Sequence, residues 1–196
     1  ERVSISSVAV DLARDVVGDL ESRSVVIIGA GETAELTAQA LVDQGVRTVF
    51  VANRHADRAR SLADRFGGEV GSLDSLPGRL EEADIVVSST SSPHPIVEAD
   101  DLAEVMRLRD GRPLVLIDIA VPRDIEHACG ELDGVSVYDM DDLQAVVRRN
   151  LSVREGERSR ADAVVEEEIQ RFARWLAQLD VLPTIASLRE HGAEIV

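Results

Sequence analysis

Ser24-Val25-Val26-Ile27-Ile28-Gly29-Ala30-Gly31-Glu32-Thr33-Ala34 decides the fold. A short, continuous apolar run before glycines suits a strand buried on both faces of a parallel sheet. Gly29 to Ala34 then fits G-x-G-x-x-A. The apolar strand before it and the amphipathic pattern after it are the context that gives such a motif meaning. Gly29 permits a tight turn, Gly31 lets backbone approach a pyrophosphate, and Ala34 allows close packing of helix on strand. The free N–H groups and dipole of the helix that follows would face the phosphates. The stretch predicts a dinucleotide-binding βαβ unit.

Outward from it, the pattern alternates. Residues 4–20 read as a helix with Val8, Leu12, Val16 and Leu20 on one face, weakened at Gly18. Residues 32–44 read as a helix ending at Gly45, Arg47 to Ala52 as a strand, and Asp57 to Phe66 as a helix stopped by Gly67-Gly68. Further strands are expected at Asp84–Ser88, Pro113–Ile119 and Val135–Tyr138, with a helix at 99–108. Apolar strands alternating with helices predict an α/β fold: a Rossmann-type parallel sheet flanked by helices. From about Asp139 the β-branched runs give way to charged residues at helical spacing. Val164, Val165, Ile169, Phe172, Leu176 and Leu179 keep an apolar stripe, so a long C-terminal helix from a helical region is expected. Glu166-Glu167-Glu168 falls mostly on its solvated face. Pro183 breaks the pattern, and Thr184 can cap a new helix.

The second strand selects the cofactor. An acidic residue about 20 positions past the glycines would bind the ribose 2′-OH of NAD. Asn53-Arg54 stands there instead, with Arg58 one turn on; arginine can pair with the 2′-phosphate of NADP. NADPH is therefore the expected ligand. Ligands sit at strand carboxyl ends, so the later loops should line the same cleft. The residues expected to bind the cofactor are Gly29, Ala30, Gly31, Glu32, Thr33, Ala34, Asn53, Arg54, Arg58, Ser88, Ser89, Thr90, Ile119 and Ala120. Ser and Thr hydroxyls in these loops could reach ribose or nicotinamide, or could serve only to satisfy turns.

No catalytic residue is assigned. Cys129 is the only cysteine; it reads as a small structural apolar residue, and one cysteine allows no internal disulfide. His94, between two prolines, reads as a loop residue. The four histidines stand isolated, so no metal site is expected.

The 196 residues carry 37 acidic groups against 21 basic ones, a net charge of −16, and all the basic ones are arginine. Such a surface is poorly suited to gripping nucleic-acid phosphates. Two readings fit it: adaptation to high salt, where counter-ions screen the repulsion, or arginine-for-lysine usage in a GC-rich genome. The first is the expectation, and the chain is read as halophilic. No apolar run approaches the ~18–20 residues that span a bilayer, and the start shows no signal-peptide pattern; a cytoplasmic location without membrane contact is expected.

Several stretches together resemble the glutamyl-tRNA reductases. They are Gly29 to Leu36, Ala52-Asn53-Arg54, Asp84 to Thr90 followed by Pro93-His94-Pro95, Leu116 to Ile125, and Tyr138 to Leu143. Glu166-Glu167-Glu168, Pro183-Thr184-Ile185 and Leu188-Arg189 belong with them. Asp118-Ile119-Ala120-Val121-Pro122-Arg123-Asp124-Ile125 is the most specific piece, and the resemblance runs through nearly the whole chain. It implies NADPH-dependent reduction of glutamyl-tRNA to glutamate-1-semialdehyde, on the way to 5-aminolevulinate and the tetrapyrroles (porphyrin biosynthesis). The implied chemistry is thioester formation on a cysteine, then hydride transfer. It also implies self-association through C-terminal helices, glutamyl-tRNA as partner of the full-length protein, and the downstream aminomutase as a further partner. These residues contain no match to the family's N-terminal catalytic domain, and Cys129 is not in its nucleophile motif. The division expected is a connecting helix at 1–22, an NADP-binding domain at 23–145, and the truncated start of a dimerisation domain at 146–196. The fragment is expected to bind NADPH without reducing glutamyl-tRNA. The arginines 148, 149, 154, 158 and 160 alternate with glutamates and read as a solvated face rather than a tRNA grip.

Two alternatives stand beside this. One is another NADP oxidoreductase of shikimate dehydrogenase-like type, which would need a lysine–aspartate pair that a lysine-free chain does not offer. The other is an NADP-binding regulatory or assembly module with the long helix as its partner surface.

Overall fold

In the computed structural model, residues 4–29, 31–46, 48–52 and 56–179 are described. The expected strands form β1 (Ser24–Gly29), β2 (Thr48–Ala52), β4 (Ile85–Ser89), β5 (Leu114–Asp118) and β6 (Val135–Asp139), joined by a short β3 (Glu69–Gly71). They make one six-stranded sheet in the order β3-β2-β1-β4-β5-β6. All five neighbouring pairs are parallel, with Val25 facing both Val49 and Ile85, and Ile117 facing Tyr138. This is the doubly wound Rossmann order, and the direction of winding reverses between β1 and β4.

Alternate strand residues feed two separate cores. Val25, Ile27, Val51, Val87 and Ile117 face one side; Val26, Ile28, Ala52, Val86 and Leu116 face the other. Helices α1 (Ile5–Val17), α2 (Glu32–Val42) and α3 (Ala56–Phe66) cover the first face, together with Leu143 from the start of α6 (Met140–Leu179). Helices α4 (Leu76–Glu82) and α5 (Ala99–Leu108) and a 3-10 turn at His127–Glu131 cover the second. Burial on both faces is why these strands read as unbroken apolar runs rather than alternating ones.

The helix ends follow local chemistry. Ser4 caps α1 through a reciprocal pair with Ser7, and Gly18 at φ 76° ends it, so Leu20 is buried beyond the helix and not on it. Two elements were not expected from the sequence. β3 is three residues long with an exposed first half, and α4 opens on Leu76-Pro77 after a serine-rich turn. Pro77 sits in the first turn of α4, where its missing N–H costs nothing.

The chain divides into two compact units, residues 1–149 and 150–196. Within the second, the described part is helical and exposed. Val164, Val165, Ile169, Phe172, Trp175 and Leu176 are each 45–60% accessible, and the Phe172 and Trp175 rings stack at 5.6 Å. The expectations for Pro183 and Thr184 lie outside the described residues. Among the described residues, no helix is long and apolar enough to cross a membrane.

Candidate dinucleotide-binding site

The glycine loop leaves β1 at the switch point and enters α2. Gly29 has φ +99°, a backbone state that side chains rarely tolerate. A Cβ on Gly29 would overlap the Ser89 carbonyl at the end of β4. A Cβ on Gly31 would lie 2.6 Å from Ser89 Oγ. Gly29 is thus required both by its positive φ and by the Ser89 backbone, whereas Gly31, at φ −81°, is crowded by the Ser89 hydroxyl; the backbone at Gly31 is bare of side chain. Gly31 is the N-cap of α2 and makes no side-chain capping bond, so the first-turn N–H groups keep their donor capacity. Ala34 is fully buried beneath them, as its place in the motif anticipates. Thr37 is buried too and donates to the Thr33 carbonyl at 2.8 Å. Glu32 is exposed in the same turn. Glu35 lies 3.5 Å from Arg65 of α3, which offsets acid close to the anion-facing end.

The hydroxyls expected at the β4 exit divide into two kinds. Ser88 is fully buried and donates to Asp124 Oδ2 at 2.7 Å. Thr90 donates to the same carboxylate through both its N–H, at 2.7 Å, and its Oγ1. Ser89 Oγ lies over Gly31 instead. Ser89 is therefore the hydroxyl placed on the glycine loop, while Ser88 and Thr90 hold the loop that carries Asp124. Ile119 and Ala120 are buried at the β5 exit. Ile119 donates its N–H to the Ser88 carbonyl, and Ala120 to Asp118 Oδ1. At that strand end they present backbone and apolar surface.

Asp118 and Asp124 were missed as site residues. Both are 1% exposed or less. Asp118 ends the apolar run Leu114 to Ile117, where a buried carboxylate must be bonded internally, but its partners come from elsewhere in the fold; Asp124, beside Arg123, carries no such signal. Burial pushes the Asp118 carboxyl above its ordinary range, partly offset by the N–H groups of Ala120 and Ile125. Ala30, Asn53 and Arg54 lie outside the described residues, and Arg58 belongs to α3 with no side-chain description.

Cys129 is wholly buried and its thiol is pushed up to about 11 by burial, so it is not poised as a nucleophile. His94 is exposed; its carbonyl accepts from Ser92 Oγ. Between β5 and β6 the crossover holds only the loop 119–126 and the 3-10 turn. A cleft of about 430 Å³ opens there, lined by Asp118, Arg123, Tyr138 and Asp139 among others.

A parallel sheet in this order, with a bare glycine turn and an open helix start at its switch point, defines a Rossmann-type nucleotide-binding domain. Comparison with known proteins narrows the class. Residues 11–146 match the family described as shikimate / quinate 5-dehydrogenase, and residues 160–196 match the glutamyl-tRNAGlu reductase dimerisation domain. A glutamyl-tRNA reductase from Trichlorobacter lovleyi is 49% identical over 193 residues, covering 98% of this chain and 44% of the relative. The solved glutamyl-tRNA reductase from Methanopyrus kandleri is 42% identical with a TM-score of 0.78, covering 91% of this chain and 45% of that one. The nucleotide-binding domain of glutamyl-tRNA reductase from Thermoplasma volcanium shares the fold, at 24% identity and a TM-score of 0.61, covering 79% of this chain and 99% of that one.

The chain therefore belongs to the shikimate / quinate 5-dehydrogenase domain family, and its sequence matches the nucleotide-binding and dimerisation regions of glutamyl-tRNA reductases. It spans about half the length of the curated relatives it matches. Fold and family together support a pyridine nucleotide as cofactor.

Proposed function

We propose that this chain is the NADPH-holding region of a glutamyl-tRNA reductase, which converts glutamyl-tRNA to glutamate-1-semialdehyde. The carrying observation is the pair Gly29 and Gly31, pressed against Ser89 at the switch point, where any Cβ would fill the cradle. A pyrophosphate fits such a cradle because backbone N–H groups can meet it without an intervening side chain. Gly29, Ala30, Gly31, Glu32, Thr33 and Ala34 would form the phosphate turn, with Ser89 as its hydroxyl neighbour. Asn53, Arg54 and Arg58 would take the 2′-phosphate, and Ser88, Thr90, Ile119 and Ala120 would build the nicotinamide wall. When bound, the nicotinamide supplies a hydride; the protein's part is to seat it and to keep the site dry.

Titrating the chain with NADPH and NADH tests this reading. NADPH should bind at least about tenfold tighter, the scale of one charge-assisted contact. A preference for NADH would overturn the choice of cofactor. The chain alone should yield no semialdehyde, because Cys129 is buried and weakly acidic; detectable product would overturn that division of labour.

The same reading divides the chain into a connecting helix at 1–22, the NADP-binding domain at 23–145 and the beginning of the dimerisation domain at 146–196. The dimerisation-domain match and the exposed stripe from Val164 to Leu176 support self-association. Sedimentation at several concentrations should show a concentration-dependent dimer. In the whole protein glutamyl-tRNA is the substrate partner, and the aminomutase that consumes the semialdehyde is a natural neighbour. A reducing, cytoplasmic setting suits the single unpaired cysteine, and the acid excess suits high salt.

A further inference from the structure

The tightest polar cluster near the glycine loop is not in the loop. It is the Asp124 carboxylate, fully buried, which accepts from Ser88 Oγ, Thr90 N and Thr90 Oγ1. All three donors come from the end of β4, and between them stands Ser89, the residue against which both glycines press. Asp124 is itself held from two sides. Its carbonyl accepts from Ile96 N at 2.6 Å and Val97 N at 3.1 Å. Asp118 then fixes the loop on either flank, accepting from Ala120 N at 3.0 Å and Ile125 N at 2.9 Å. A chain of buried and half-buried bonds thus runs from the end of β5, through Asp124, to the strand end that abuts the glycines.

We propose that Asp124 is the positioning residue of the dinucleotide cleft: it fixes Ser89 and Thr90 against the glycine loop and so governs binding of the pyrophosphate–nicotinamide half of the ligand. The proposal rests on the dinucleotide reading above and deepens it. Thr90 Oγ1 gives its proton to Asp124 while accepting from Ser92 N at 3.1 Å, so its orientation is set before any ligand arrives. An amide in place of the carboxylate would turn an NH2 toward at least one of the three donors. The strand end would shift, and Ser89 with it. The adenosine end of the ligand should not sense this, because its seat is at the end of β2, on the far side of β1 from β4.

The test measures binding of NADPH and of adenosine 2′-monophosphate, which lacks the pyrophosphate, to the full chain and to Asp124→Asn, Thr90→Val and Thr90→Ser. Asp124→Asn and Thr90→Val should each weaken NADPH by about tenfold or more, the usual scale for a lost buried hydrogen bond. The monophosphate should bind all variants within about twofold of wild type, and Thr90→Ser should recover most of the affinity lost in Thr90→Val. The double variant should lose less than the sum of the two single losses, because the Thr90 Oγ1–Asp124 bond is common to both. Equal losses for both ligands would mean general loosening and would overturn the proposal. So would unchanged NADPH affinity in both single variants. If Asp124→Asn fails to fold, Thr90→Val carries the test, since it removes one hydroxyl and keeps the shape. A wild-type chain that binds neither ligand would fail the dinucleotide reading itself, and this proposal with it.

Discussion

Arg109 shows what a single side chain can hold in this fold. It is 1% exposed and has no carboxylate partner within bonding distance among the described residues. Its guanidinium instead donates to the carbonyls of Leu80, Glu81, Ala83 and Pro113, tying the end of α4 to the turn before β5. Burial lowers its affinity for the proton to about 10, still far above neutral pH, so the charge persists. Arg109→Met would take this donor from the Leu80, Ala83 and Pro113 carbonyls, while Glu81 still accepts from Arg112. Each such group costs about 1–3 kcal/mol, so a loss of roughly 3 kcal/mol or more is expected in urea unfolding. Lysine should recover only part of it, lacking the planar fork. Gly29 makes the complementary case at the site. Gly29→Ala meets both the positive φ and the Ser89 carbonyl, and strain of this kind costs about 1–3 kcal/mol. The variant should lose dinucleotide binding and also melt lower, whereas Gly111→Ala, at φ +76° with nothing within 4 Å, should only melt lower. Binding retained by Gly29→Ala would sink the cradle.

At the level of elements, what was legible depended on length and on burial. β1, β4 and β5 were readable because each is an apolar run bounded by turn residues; α5, with Leu102 and Val105 on its buried face, is found at 99–108 as expected. β3 escaped because three residues, Glu69-Val70-Gly71, carry no period, and its pairing comes from β2 rather than from its own composition. α4 escaped because Pro77 and Gly78 read as a breaker, whereas the fold places Pro77 where a helix accepts it. The candidate site was legible in its glycines, whose role is local, but not in Asp118 and Asp124. Their role appears only when β4 and β5 are side by side. The start of α6 offers an element-scale test. Asp139 Oδ1 accepts from Asp141 N and Asp142 N, Asp142 Oδ2 accepts from Asp139 N, and Arg123 pairs with Asp139. Burial raises the Asp139 carboxyl, but the Asp142 N–H, Arg123 and the Asp141 N–H outweigh it, and the net shift is downward. A lowered folded value means stability that is present above the unfolded value of 3.8 and lost as pH falls through the folded one. Asp139→Ala should therefore cost about 1 kcal/mol at neutral pH, and its gap from wild type should close in acid, below pH 3.8. Urea midpoints of both proteins across that range give the answer. A gap that stays constant would remove the ionised cap from the account.

For the whole molecule, the acid excess is the property that no single contact explains. The described ion pairs are mostly exposed and local: Arg14 with Asp11, Arg107 with Glu104, Arg171 with Glu168. Pairs of this kind contribute little stability. With 21 arginines against 37 acidic groups, 16 acidic groups have no arginine to balance them, which is the net charge of −16. The core beneath is ordinary, two apolar layers on a parallel sheet, so the charge acts on the folded state from outside it. Repulsion summed over a net charge of −16 favours any state that spreads the charges, which is the unfolded one. Salt removes this selectively: the screening length falls from about 10 Å at 0.1 M to about 3 Å at 1 M. The midpoint of thermal unfolding should therefore rise between 0.1 M and multimolar KCl. A gain of a few kcal/mol corresponds to roughly 5–10 °C for a chain of this size. Simple screening should saturate near 1 M, where the screening length is already shorter than the spacing of most surface charges. Equal midpoints at both ends of the range would leave arginine-for-lysine usage as the explanation of the composition, with no work for salt to do.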